Sequence, residues 1–166
     1  MDADATAQEF AWKVHSALAD WTGRVDTKAS IALSLEAAVL VLIISQSAET
    51  KPLAGLTDFA LLLYWVGFAA LLLAIVFSLL VVVPQLKRRK LAAEAPDGLI
   101  YFGHLRLRTP DDVEASLRDP ALRLPALSRQ LVAMAKIAWR KHVFLQASLL
   151  LAAVSAMAFL GAVASA

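Results

Sequence analysis

Three stretches of the chain are apolar almost without interruption. They cover residues 29–47, 59–83 and 143–164, and the one formal charge they carry between them is Glu36. A bilayer core of about 30 Å takes roughly 20 helical residues to cross, so each stretch is long enough. Backbone polar groups in lipid must pair within their own segment, which makes all three α-helices. Burying three such helices in a soluble fold needs more surrounding chain than 166 residues supply.

The flanking segments are amphipathic. Phe10, Val14, Ala17, Leu18, Trp21 and Val25 recur at helical spacing and predict one apolar face before the first span. Thr6, with Glu9 three residues on, predicts a capping box at the start of that helix. Gly23 is its one interruption on the way into the membrane. After the second span Pro84 predicts a kink, and Ala95-Pro96-Asp97-Gly98 predicts a turn. The aromatic run Leu99-Ile100-Tyr101-Phe102-Gly103-His104-Leu105-Arg106 reads as extended or irregular. Thr109-Pro110-Asp111-Asp112 sets a cap, a proline at the first helical position and acid in the first turn of a short helix ending near Asp119-Pro120. A last helix is expected from near Pro125 straight into the third span, with Leu127, Leu131, Met134 and Ala138 as its apolar stripe and Arg129, Lys136 and Arg140 opposite. The expected fold is therefore all-α: an integral membrane protein whose three transmembrane helices extend into a cytoplasmic helical bundle. Its parts are a cytoplasmic amphipathic helix (1–28), spans at 29–47, 59–83 and 143–164, and a cytoplasmic helical region at 84–142.

Charge sets the orientation. Lys87, Arg88, Arg89 and Lys90 follow the second span, and Lys136, Arg140 and Lys141 precede the third. The loop between the first two spans has only Lys51, opposed by Glu49 and Asp58. Basic residues stay inside, so the N-terminus and residues 84–142 are expected in the cytoplasm and the C-terminus across the membrane. The acidic opening Met1-Asp2-Ala3-Asp4 is unlike the basic start of a signal peptide, so none is expected. A net charge of +2 is too small to point to nucleic acid, and the absence of cysteine removes disulfides and thiolate chemistry.

No catalytic constellation is visible, and the chain is not expected to be an enzyme. His15, His104 and His142 stand on separate elements without metal-ligand spacing, so no metal site is expected. Ser34, Ser78 and Ser148 lie in the spans without a histidine or lysine partner at their depth, and such serines usually bond their own backbone or pack on a neighbour. Two features stand out. Tyr101 to Arg108 combines aromatic faces that stack on a base, a glycine and two arginines suited to a phosphate; the plainer reading has Tyr101 and Phe102 sealing a bundle and Arg106 and Arg108 solvated. Glu36 is an acid some two turns into the first span, a position that favours a protein interior or water over lipid. It is either functional or simply hydrogen-bonded to a neighbouring helix. Ser148, Ala152 and Ala156, then Ala158 and Ala162, form small-residue ridges of the kind used in close helix association.

Trp21 followed by Asp26-Thr27-Lys28-Ala29-Ser30, then Ile100-Tyr101-Phe102-Gly103-His104, then Lys136-Ile137-Ala138-Trp139-Arg140-Lys141-His142 form a pattern that covers nearly the whole chain. In these blocks the sequence resembles the transmembrane effectors of the Pycsar antiphage system. Family members often have a small residue where this chain has Glu36. The resemblance implies an antiphage effector in the bacterial inner membrane, functionally coupled to a pyrimidine cyclase. Its cytoplasmic part would sense cyclic CMP or cyclic UMP, and the protein would then impair membrane integrity and cause abortive infection. The ligand-binding residues it implies are Trp21, Asp26, Lys28, Tyr101, Phe102, His104 and Arg106, with Glu36 as an intramembrane candidate and a homo-oligomer as the working form. A small oligomeric channel or a membrane anchor, gated by another partner, is the alternative.

Overall fold

The computed structural model describes residues 3–49, 57–84 and 98–165. The basic cluster Lys87 to Lys90, the start of the Ala95-Pro96-Asp97-Gly98 turn and Lys51 lie outside the described residues. Within them the chain is helical and has no strand. The helices are α1 (Ala3–Glu49), α2 (Asp58–Val82), the single turn α3 (Phe102–Leu105), α4 (Pro110–Arg118) and α5 (Pro120–Ala164). The expectation of an all-α membrane fold with three span-length helices holds.

The local starts and stops follow from chemistry. At α4 the Thr109 hydroxyl accepts from the Asp112 N–H at 3.3 Å, and the Asp112 carboxylate accepts from the Thr109 N–H at 3.2 Å, with Pro110 in the first turn. Thr57 caps α2 by accepting from the Ala60 N–H at 3.2 Å. Pro84 does not kink α2. The helix ends at Val82 and Val83 is extended, because a proline pushes the residue before it out of the α region. Nor is Thr6 a cap: α1 is already helical at Ala3, with Asp4 as the acid of its first turn. The last helix begins five residues before Pro125. Asp119 accepts from the Ala121 N–H at 2.9 Å and starts it at Pro120, so Pro125 falls inside the helix close to its beginning.

The chain divides into two compact units. Arg24–Val83 with Arg140–Ala166 is the span unit, and Met1–Gly23 with Pro84–Trp139 is the polar unit. α1 and α5 are unbroken helices that contribute to both. Each long helix buries residues at alternating steps of three and four. On α1 the row is Ala11, Leu18, Val25, Ala29, Ala32 and Glu36, with half-buried His15 and Thr22 filling the gaps. On α5 it runs Leu127, Ala138, Lys141, Leu145, Ser148, Ser155 and Ala162, with half-buried Leu131, Met134, Ala152 and Phe159 filling the gaps. This 3.5-residue period is the heptad spacing of left-handed supercoils. The apolar face expected from Phe10, Val14, Ala17, Leu18, Trp21 and Val25 is therefore displaced by about one position. Leu18 and Val25 are buried, whereas Phe10 and Trp21 are exposed.

In the span unit α1 and α5 run parallel and α2 antiparallel to α5, as the paired residues show. Val25, Ala29, Val81 and Leu145 form a core cluster against Phe144, which meets Phe77 at 5.8 Å between ring centroids. Further along, a Cβ on Gly67 would stand 3.2 Å from the Ser155 carbonyl oxygen, so α2 and α5 are close there. Tyr64 and Phe159 meet edge to face at 5.7 Å, and the Thr57 hydroxyl donates to the Ser165 carbonyl at 3.3 Å. Besides Val25, Leu71, Val81 and Leu145, the buried uncharged residues of the unit are Ala, Gly and Ser; outside are Leu35, Leu42, Ile44, Leu73, Val76, Leu150, Met157 and Leu160. A water-soluble bundle has the opposite arrangement. Hydrocarbon is as apolar as leucine, so small residues that allow close approach belong inside and the large ones face lipid.

Candidate functional site

In the polar unit the expected binding stretch is not extended. Tyr101 caps α3, whose one turn is closed by the His104 N–H to the Tyr101 carbonyl at 2.9 Å. Two glycines make this compact. A Cβ on Gly98 would fall 1.9 Å from His104 Nδ1, and one on Gly103 2.3 Å from Tyr101 Cε1. Each ring thus lies on backbone that only glycine leaves open. Tyr101 contacts both Phe102 (4.7 Å between centroids) and His104 (5.2 Å). Phe102 seals nothing: it is 64% exposed. Arg106 is exposed at the C-terminal cap of α3.

Arg108, read from the sequence either as a phosphate partner or as solvated, is a strut. Its Nη2 donates to the buried Ser116 hydroxyl at 2.6 Å and to the Asp112 carbonyl at 3.1 Å. The hydrogen bond from the Thr109 side chain to Asp112 (2.7 Å), then that from the Thr109 backbone, and lastly the Arg108 charge hold the Asp112 carboxyl below the usual carboxylate range. Asp111 and Asp112 in the first turn already meet the positive end of α4, while Arg108 Nη1 is buried without a hydrogen-bond partner among the described residues. The stretch displays one aromatic face and one exposed arginine on a braced turn, a geometry suited to a flat base and an anionic group.

Of the other expected ligand residues, Trp21 lies on α1 in the polar unit and is exposed. Asp26 and Lys28 belong to the span unit, where Lys28 is exposed and Asp26 is ion-paired to Lys141. Lys141 is buried, and a lysine is rarely so unless paired. The pair joins the Asp26-Thr27-Lys28 block to the Arg140-Lys141-His142 block. Asp26 therefore has a structural partner already.

Glu36 is only 5% exposed and faces protein. Its Oε1 accepts from the Ser148 hydroxyl at 2.6 Å, and Ser148 shares a second hydrogen bond with the Ser78 hydroxyl at 2.8 Å. One polar chain thus links α1, α5 and α2, and both serines are fully buried. Ser34 does bond its own backbone, at the Ser30 carbonyl, but Ser78 and Ser148 do not. Glu36 Oε2 is buried and has no hydrogen-bond partner among the described residues. Lys141, Ser148 and Ser155 follow one another at heptad spacing on the buried face of α5. That spacing is the sequence signal that would have found Ser148, because it continues the Leu127, Leu131, Met134, Ala138 stripe. In the small-residue ridge Ala158 and Ala162 are buried, but Ala156 is exposed.

Such a bundle, small and polar within and apolar without, defines a membrane-spanning protein with an appended helical unit; among the described residues no three His, Asp or Glu side chains come together as they would around a transition metal. Residues 10–166 match the family model of the Pycsar effector protein domain, PycTM, and the chain belongs to that family of antiphage effectors with a transmembrane domain. No curated protein and no solved structure matches the chain.

Proposed function

We propose that this effector senses a cyclic pyrimidine mononucleotide, cyclic CMP or cyclic UMP, supplied by a partner pyrimidine cyclase, and then impairs the inner membrane, ending the infected cell's support of phage. Family membership gives the reading its frame. The observation that carries it within this chain is the continuity of α1 and α5, each a single helix serving both the polar unit and the span unit. A helix is stiff along its axis, so binding energy spent on the polar unit has two direct routes into the membrane. Tyr101, Phe102, His104 and Arg106 offer the base-stacking and phosphate-pairing groups, with Trp21 as a further exposed ring. Asp26 and Lys28 act one step away: the Asp26–Lys141 pair ties two span helices together just inside the span unit. The polar unit lies in the cytoplasm and the C-terminus in the periplasm, as the positive-inside rule requires, and the effector works as a homo-oligomer.

Calorimetry on the detergent-solubilised full chain tests the ligand. Cyclic CMP or cyclic UMP should bind and cyclic AMP and cyclic GMP should not; equal binding of all four, or of none, overturns the assignment. Reporter fusions test the orientation. A cytoplasmic signal from a tag placed after Ala166 would sink it.

A further inference from the structure

Four oxygens from three helices lie along one chain inside the span unit: both carboxylate oxygens of Glu36, the Ser148 hydroxyl bonded to one of them, and the Ser78 hydroxyl bonded to Ser148. No nitrogen donor takes part, and one of the four, Glu36 Oε2, is buried without a hydrogen-bond partner among the described residues. Oxygen ligands of this kind suit hard cations. Lys141 is neutralised by Asp26, and the three apolar stretches contain no charge other than Glu36. An acid at this depth is costly unless something positive or a hydrogen-bond donor meets it, and Ser148 meets only one of its oxygens. A divalent ion would leave an excess positive charge in the bundle, where one carboxylate balances a single charge.

We propose that Glu36, Ser78 and Ser148 form a monovalent-cation site in the core of the span unit and make the leak through this protein selective for cations. Carboxylates lining a path select cations by the same electrostatics that rings of acids use in channels. In the resting bundle the serine chain ties α1, α2 and α5 together at the site. When the helices part, the same oxygens face the opening. The selectivity half of the proposal rests on the membrane-impairing function above, whereas the binding half does not.

Two measurements separate them. The first is thermal unfolding of the detergent-solubilised chain, without nucleotide, in potassium chloride against N-methylglucamine chloride at equal ionic strength. Potassium should raise the melting temperature by about 3–6 °C when present at roughly ten times its Kd. Glu36→Gln should abolish the difference, and Ser148→Ala should reduce it. Equal melting in the two salts, as a proton held on Oε2 would produce, overturns the site. The second is current across proteoliposomes under a potassium chloride gradient, with cyclic CMP or cyclic UMP added. The current should reverse near the potassium equilibrium potential, and Glu36→Gln should lower the preference for potassium over chloride about tenfold, on the scale of one charged hydrogen bond. A current without ion preference, or one that Glu36→Gln leaves as selective, overturns the selectivity. No current with either nucleotide overturns the proposed function while the melting result still decides the site.

Discussion

The two units use charge in opposite ways. In the polar unit Glu9 with Lys13 and Glu114 with Arg118 are ion pairs one helical turn apart, well exposed on both sides. In the span unit Asp26 meets Lys141 across two helices, and Lys141 is buried. Exposed pairs of the first kind contribute about 0.3–0.5 kcal/mol each, because water screens them and ordering long side chains costs entropy. Removing one partner of a buried pair costs far more, since the other charge is left without compensation. The same contrast runs through the uncharged groups. Thr109 and Asp119 satisfy backbone at helix ends in the polar unit, whereas Ser78 and Ser148 satisfy one another and Glu36 between helices in the span unit. Polar chemistry shapes local structure in one unit and specifies helix partners in the other.

The largest expected effect therefore lies at Lys141. Lys141→Met should destabilise the detergent-solubilised protein by up to about 3 kcal/mol, the lower end of the range for a broken buried pair, because Asp26 keeps 39% of its side chain exposed. Adding Asp26→Leu should recover part of the loss by removing the stranded charge. Lys13→Met, the counterpart in the polar unit, should change stability by less than about 0.5 kcal/mol. Equal losses at Lys141 and Lys13 in a denaturation series would abolish the contrast.

Next comes Gly67, where α2 and α5 nearly touch. Gly67→Leu has no room beside the Ser155 carbonyl and Ala158, and forcing the helices apart should cost about 1–3 kcal/mol. Thr109→Ala removes the cap of α4 and should cost about 1 kcal/mol. The Thr109 bonds lower the folded-state pKa of Asp112, so their contribution is complete above the ordinary carboxylate pKa and is lost as pH falls through the lowered value. Acid unfolding of the full chain should thus show a weaker dependence on pH in that window for Thr109→Ala than for the unchanged protein.

Much of this was legible in the sequence where one residue type dominates. The three apolar runs, the Thr109-Pro110 start and the Leu127 to Ala138 stripe are all signals of uniform chemistry. The buried row of α1 was not legible, because it passes through Ala11, His15, Thr22 and Glu36 while the aromatic residues lie beside it. A count of hydrophobic positions follows the bulky side chains; close helix packing selects the small ones. The partners of Glu36 and Lys141 were hidden for a related reason. Each is far away in sequence on another helix, and a lone serine or aspartate carries no local mark of what it will meet. The turn at Tyr101 depends on Gly98 and Gly103 receiving rings, a tertiary fact that the aromatic run alone does not disclose.

A gain in stability, rather than a loss, is expected at Gly23, the last residue of α1 within the polar unit. It interrupts the amphipathic pattern, but α1 runs on through it into the span as the sequence suggests, and a Cβ placed there meets nothing within 4 Å. Glycine in a helix interior costs about 0.8–1 kcal/mol relative to alanine. Gly23→Ala should therefore stabilise the full chain by about that amount without disturbing any neighbour. The informative comparison is between that gain and the nucleotide-evoked membrane leak. If α1 acts as a rigid rod between the units, the substitution should leave the leak intact or make it respond at lower nucleotide concentration. A more stable protein with a lost response would show that the helix must bend at Gly23 to transmit the signal, and that α5 alone is not enough.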